Sequence, residues 1–154
     1  MFSATDQSTQ PAVLPPDCTF RETDWLVLAD FWHPIAIARE VTEAPMSVRL
    51  LDVDLVVWRS DEAISVARDQ CPHRGARLSD GRVRAGRLVC PMHGLAFDGT
   101  GACRRIPSLA DPEKGIAPKM RLGSVMAREH HGLVWACLSG RPSWPLPQWD
   151  GIGD

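Results

Sequence analysis

Four residues in two short stretches carry the chemistry this sequence offers. Cys71-Pro72-His73-Arg74-Gly75 and Cys90-Pro91-Met92-His93-Gly94 each supply one thiolate and one imidazole, and each closes on glycine. The spacing is C-x-H, sixteen residues, then C-x2-H. Thiolate and imidazole are the ligands that soft and borderline metals select. Proline restricts the backbone and glycine releases it, so tight loops can turn such side chains inward. A structural zinc site usually combines a CxxC knuckle with a separate HxxxH helix. Here neither stretch holds two cysteines, and no helical pattern follows the second. Two matched loops suit an asymmetric [2Fe–2S] cluster, with Cys71 and Cys90 on one iron and His73 and His93 on the other. A zinc-stabilised binding module is the competing reading.

Such a cluster, with neutral imidazoles, is uncharged when oxidised and carries one negative charge after taking one electron. Its irons have no open position for a substrate, so this chain alone is not expected to oxygenate anything. Residues 68–105 hold eight arginines against Asp69, Asp80 and Asp98, in a chain of net charge −2. That local excess suits a docking face for an acidic partner. Its plainer reading is a solvated face that offsets cluster charge.

The remaining candidates read as structural. Cys137 suits a small core position in the last strand, and Cys18 and Cys103 are incidental. His130 and His131 precede Gly132 and read as a hairpin turn; neighbours on a strand face opposite ways and cannot easily share a ligand site. His33, before Pro34, reads as structural. Trp32, Trp58 and Trp135 fit core positions, whereas Trp144 and Trp149 are candidates for docking onto a partner.

The elements that must position the loops are mostly strands. The 154 residues amount to one domain, and 44% hydrophobic with 23% charged residues is a globular composition. There is no global basic footprint for nucleic acid. No apolar run reaches the roughly 18 residues that span a membrane, and the N-terminus lacks secretory-signal character. Five cysteines, an odd number, point to the reducing cytoplasm. Residues 1–19 read as a mobile lead-in. Thr23 is expected to cap a helix over 24–31, which Pro34 prevents from continuing. Strands are expected over 32–38, 47–51, 55–59 and 63–68, with turns at Asp52-Val53-Asp54 and Ser60-Asp61-Glu62. Residues 71–101 are glycine-rich and read as short strands with holding loops, ending in an Asp98-Gly99-Thr100-Gly101 turn. A polar loop follows over 107–118, and 120–129 with 132–138 read as a closing hairpin. Residues 142–154 are rich in Pro and Trp and read as a linker-like tail. The expected fold is all-β, a small antiparallel sandwich or barrel with a loop-rich cluster-binding subdomain, over 20–141.

At this level the chain resembles the N-terminal Rieske domain of Rieske non-haem iron oxygenases, the ring-hydroxylating and demethylating enzymes. The carriers are Phe31-Trp32-His33-Pro34, Cys71-Pro72-His73-Arg74-Gly75-Ala76, Leu78-Ser79-Asp80-Gly81, Cys90-Pro91-Met92-His93-Gly94, Phe97-Asp98, Gly101-Ala102-Cys103 and Ile106-Pro107. The resemblance implies a Rieske [2Fe–2S] cluster held by Cys71, His73, Cys90 and His93. It implies an NAD(P)H-dependent reductase or ferredoxin as electron donor and an oxygenase catalytic domain as acceptor. A free-standing Rieske-type ferredoxin is the alternative role. The family often has an aromatic residue where this chain has Met92 and a Trp where it has Leu95. The extra loop cysteines of respiratory Rieske proteins are absent, and no DxxHxxxxH-like stretch supplies a mononuclear iron site. High-potential Rieske sites resemble one another in directing Tyr and Ser hydroxyls at the cluster. This sequence has no Tyr, which places its expected potential near the low end of the roughly −150 to +300 mV Rieske range.

Overall fold

A computed structural model describes residues 13–61 and 63–149. Of the expected lead-in, residues 1–12 lie outside the described residues, as do 150–154 of the tail. Among the described residues the chain forms one short α-helix, one 3-10 turn (Ala38–Glu40) and ten strands: α1 (Glu22–Ala29), β1 (His33–Ile37), β2 (Met46–Leu50), β3 (Val53–Ser60), β4 (Ala63–Arg68), β5 (Arg82–Arg84), β6 (Arg87–Val89), β7 (Ala96–Phe97), β8 (Cys103–Arg105), β9 (Ser124–His130) and β10 (Leu133–Cys137). Every strand pairing is antiparallel. Six strands run in the order β1-β10-β9-β4-β3-β2, and the end strands β1 and β2 meet again, so this sheet is nearly a barrel. The other four, β5-β6-β7-β8, make a small second sheet. The all-β expectation holds.

The stretch Leu55-Val56-Val57-Trp58 is apolar without alternation because β3 is buried on both faces. Successive strand residues point to opposite sides. Leu55 and Val57 enter the barrel core with Trp25, Val66, Val134 and Ala136. Val56 and Trp58 enter a second core with Ala67, Leu78, Leu88 and Phe97, and with Cys71 and Cys90. The β3–β4 hairpin is thus the wall shared by the barrel and the subdomain that carries the two loops.

Local chemistry corrects three boundaries. Thr23 lies inside the first turn of α1; the N-cap is Arg21, with no side-chain cap bond. What holds the helix is Trp25, fully buried, whose Nε1–H donates to the Leu51 carbonyl at 2.8 Å. The β2–β3 turn is tighter than expected, because Val53 already pairs with Leu50. Leu51 and Asp52 alone make it, both at left-handed φ (48° and 63°), the backbone that matches strand twist in two-residue hairpins. Thr19 clamps Asp52 through its N–H (2.7 Å) and hydroxyl (2.6 Å). The closing hairpin likewise turns on His131 and Gly132, at φ 50° and 71°.

The Asp98 turn forms as expected. Oδ1 of Asp98 accepts from the Thr100 amide (2.9 Å), the Thr100 hydroxyl (2.7 Å) and the Ala102 amide (3.1 Å), and Oδ2 pairs with Arg104. Burial pushes this carboxyl up, but the Thr100 hydroxyl, Arg104 and the Thr100 amide together hold it below the usual 3.8. A depressed folded-state value stabilises the fold above the unfolded-state pKa, and that stability is lost as pH falls through the folded value. Asp98→Asn is therefore expected to lower stability at neutral pH and flatten its loss below about pH 4. Urea titrations at pH 3, 4 and 7 check this; parallel pH profiles for both proteins would contradict it.

Candidate metal centre

The two loops are built on one backbone plan. In the first, the Gly75 N–H donates to the Cys71 carbonyl (2.8 Å) and the Cys71 N–H to the Ala76 carbonyl (2.8 Å). In the second, the Gly94 N–H donates to the Cys90 carbonyl (3.1 Å) and the Cys90 N–H to the Leu95 carbonyl (2.9 Å). Both closing glycines are left-handed, at φ 74° and 69°, where an L side chain is strained. The same six-residue turn therefore carries histidine at its third position in one loop and at its fourth in the other. That is the physical content of C-x-H against C-x2-H, and it makes the two halves an asymmetric pair.

Each loop leaves a strand of the shared wall or of the small sheet. The first follows β4, and the second joins β6 to β7. Cys71 and Cys90 are each 2% exposed and lie in one apolar core. The His73 and His93 rings meet edge to face, with centroids 4.8 Å apart. The structure thus brings all four sequence candidates together, with thiols inside and imidazoles at the rim. Burial pushes the Cys71 thiol up to about 11; the Cys90 thiol beside it pushes the same way, and the His73 and Arg74 amides aimed at its sulfur pull against both. Two thiols packed into an apolar core resist ionisation unless a cation sits between them. Among the described residues, no three Cys, His, Asp or Glu converge as ligands of a single ion. Two buried thiols and two rim imidazoles are the donor set a Rieske [2Fe–2S] cluster takes, cysteines on one iron and histidines on the other.

Support for the first loop comes from residues that sequence reading passed over. Asp69 has a fully buried side chain. Its Oδ1 accepts from the Ser79 amide (2.7 Å), and its Oδ2 from the Ser79 hydroxyl (2.5 Å) and from Arg77 (3.3 Å). One carboxylate therefore ties the chain just before Cys71 to the chain just after Ala76. Arg77 also reaches the Ser47 hydroxyl at 3.0 Å. In the sequence Asp69 was indistinguishable from a surface charge, and Ser79 stood only inside the Leu78-Ser79-Asp80-Gly81 stretch with nothing to link the two.

The other candidates separate. Cys137 is fully buried in β10, as expected, and its thiol donates to the Ala29 carbonyl at 3.4 Å. Cys103 is not incidental: it packs in the same core as Cys71 and Cys90. His33 bonds the Leu28 carbonyl at 2.8 Å, a structural contact. His130 Nε2 lies 3.1 Å from the Pro147 carbonyl, and Trp149 packs near His131 and Trp135 at centroid distances of 5.2 and 6.0 Å. Trp144 stays 66% exposed.

Fold and site together define a small antiparallel β domain that presents paired Cys/His loops to a cluster. The Rieske [2Fe-2S] domain profile matches residues 31–124, and this chain belongs to that family. A domain of this family carries electrons through a Rieske-type [2Fe–2S] cluster, the cofactor expected from the sequence. The chain is 38% identical over 117 residues to methylxanthine N1-demethylase NdmA of Pseudomonas putida, covering 72% of this chain and 33% of that protein. It is 37% identical over 106 residues to the oxygenase component of dicamba O-demethylase from Stenotrophomonas maltophilia, covering 68% and 30%. The solved structure of Pseudomonas putida CBB5 NdmA superposes with a TM-score of 0.75 at 32% identity, covering 86% of this chain and 41% of that one. The chain thus spans about a third of the length of the curated relatives it matches. Among the described residues, no helix is long and apolar enough to cross a membrane.

Proposed function

We propose that this chain passes single electrons to the mononuclear iron of a non-haem oxygenase, with Cys71, His73, Cys90 and His93 holding the cluster. The carrying observation is the pair of matched loops that buries both thiols and leaves both imidazoles at the rim. When bound, the cluster supplies a one-electron couple. The chain's own residues do the rest. The apolar core around Cys71 and Cys90 excludes water from the sulfur side. The amides aimed at the Cys71 sulfur favour its thiolate form. The imidazole rims lie beside an apolar shelf of Leu95, Ile106, Pro107 and Met120, and offer the exit toward an acceptor.

The donor in this reading is an NAD(P)H-dependent reductase or a ferredoxin, and the acceptor is an oxygenase catalytic domain. Residues 20–141 are the electron-transfer domain, with a lead-in before and a linker-like tail after. The named relatives act on methylxanthines and dicamba, which favours an oxygenase system that demethylates or hydroxylates aromatic compounds. Five cysteines, all free, fit the reducing cytoplasm.

Electron paramagnetic resonance of the dithionite-reduced protein, with iron, zinc and acid-labile sulfide assayed on the same sample, tests the reading. The expected result is a rhombic signal averaging below the free-electron g value, with about two irons and two sulfides per chain. A colourless, EPR-silent zinc protein, even after reconstitution with iron and sulfide, would falsify it. With no Tyr in the chain and Leu95 buried after Gly94, the midpoint potential is expected below about 0 mV. A redox titration giving more than roughly +100 mV would contradict that expectation.

A further inference from the structure

The small sheet carries a groove of about 460 Å³ beside the second loop. Arg82 and Arg84 from β5, Arg87 from β6 and Arg105 from β8 line it, against the single carboxylate of Glu113. Glu113 pairs with Arg87 at 2.9 Å. Among the described residues, Arg82, Arg84 and Arg105 have no carboxylate partner, and all three are exposed. Like charges gathered on neighbouring strands repel, weakly in water and salt, and an anionic surface laid over them would relieve that repulsion.

The groove's position gives it a purpose. Gly94 and Pro107 are among its lining residues, and Pro107 also lines the shelf in front of His73 and His93. A side chain added at Gly94 would meet the Pro107 ring at 3.2 Å. Groove and shelf therefore share Pro107 as a lining residue. The two surfaces differ in kind: the shelf is mainly apolar, whereas the groove is cationic.

We infer that the Arg82/Arg84/Arg105 groove is the docking site of a carboxylate-rich electron-donor protein, separate from the apolar shelf that faces the acceptor. The inference rests on the proposed electron-transfer role and adds the surface. In the step itself, the donor's reduced iron–sulfur centre loses one electron and the oxidised cluster of this chain gains it. No atom or proton is transferred. Charge complementarity raises the encounter rate and makes it salt-dependent, because exposed charges are screened beyond a Debye length.

The test uses the cluster-loaded chain and a plant-type [2Fe–2S] ferredoxin with an acidic surface as the probe. Two quantities are read at about 20 mM and about 500 mM salt: affinity for oxidised ferredoxin by calorimetry, and the rate of reduction by reduced ferredoxin in a stopped-flow instrument. Arg82→Glu/Arg84→Glu is expected to weaken binding and slow reduction at least tenfold at low salt, and to lose most of the salt dependence. Arg105→Glu, on a different strand, is expected to reproduce at least a threefold loss should the double variant not load its cluster. Arg128→Glu/Arg141→Glu makes the same charge change on the barrel sheet and near the tail, and is expected to stay within twofold of the unaltered chain. Dithionite reduction and the EPR signal are expected to be unchanged in all three. Groove variants that match the distal pair, or an unaltered chain whose binding and rate ignore salt, would overturn the docking site while electron transfer stands. A loaded chain that the ferredoxin neither binds nor reduces would overturn the docking site. A chain that never loads a [2Fe–2S] cluster would overturn the electron-transfer role and the docking site together.

Discussion

Cys90→Ala is expected to yield a protein that retains less than about a tenth of its iron and sulfide and shows no EPR signal on reduction. The thiol is 2% exposed and lies beside Cys71. Cys103 shares the same core, but its thiol is directed at the Arg105 carbonyl, 3.5 Å away. Cys103→Ala is accordingly expected to keep about two irons and two sulfides per chain while losing some packing. The contrast between two buried cysteines of one core makes the measurement decisive. Equal iron loss in both variants would show that general damage to the core, and not ligation, controls cluster retention. The barrel core lies on the other face of β3, so circular dichroism of Cys90→Ala is expected to keep its strand signal.

The next largest effect is expected at Asp69. Its carboxylate is fully buried and accepts two hydrogen bonds from Ser79, with the half-exposed Arg77 completing the set. Asp69→Ala leaves the half-buried Ser79 amide and hydroxyl without their acceptor, a change that costs about 2 kcal/mol. Asp69→Asn keeps an acceptor for the Ser79 amide and is expected to cost about 1 kcal/mol. Urea denaturation of both variants reads the difference. The alanine variant is also expected to release its cluster faster under a chelator, because the loop holding Cys71 and His73 loses its tie. Equal stabilities for the Ala and Asn variants would show that the carboxylate does not staple the loop.

The sequence by itself determined four candidate donors and most of the strands. Cys71, His73, Cys90 and His93 stood out as candidates because metal ligation demands particular atoms, and each pair sits within a few residues on a loop closed by glycine. The strand over 63–68 was legible for a related reason: local turn residues bound it on both sides. Thr23 misled, because capping chemistry is a local preference and the buried Trp25 sets where the helix lies. Long-range features were not legible. That β3 would be buried on both faces, that Asp69 would reach Ser79 ten residues on, and that Pro107 would line both an arginine groove and the shelf beside two imidazoles all depend on which elements fold over one another. The counted excess of arginines over 68–105 was in the sequence, but its concentration into one groove was not. A ligand's identity is written in one side chain, whereas burial, a shared wall and a charged face are properties of surfaces that only tertiary packing brings together.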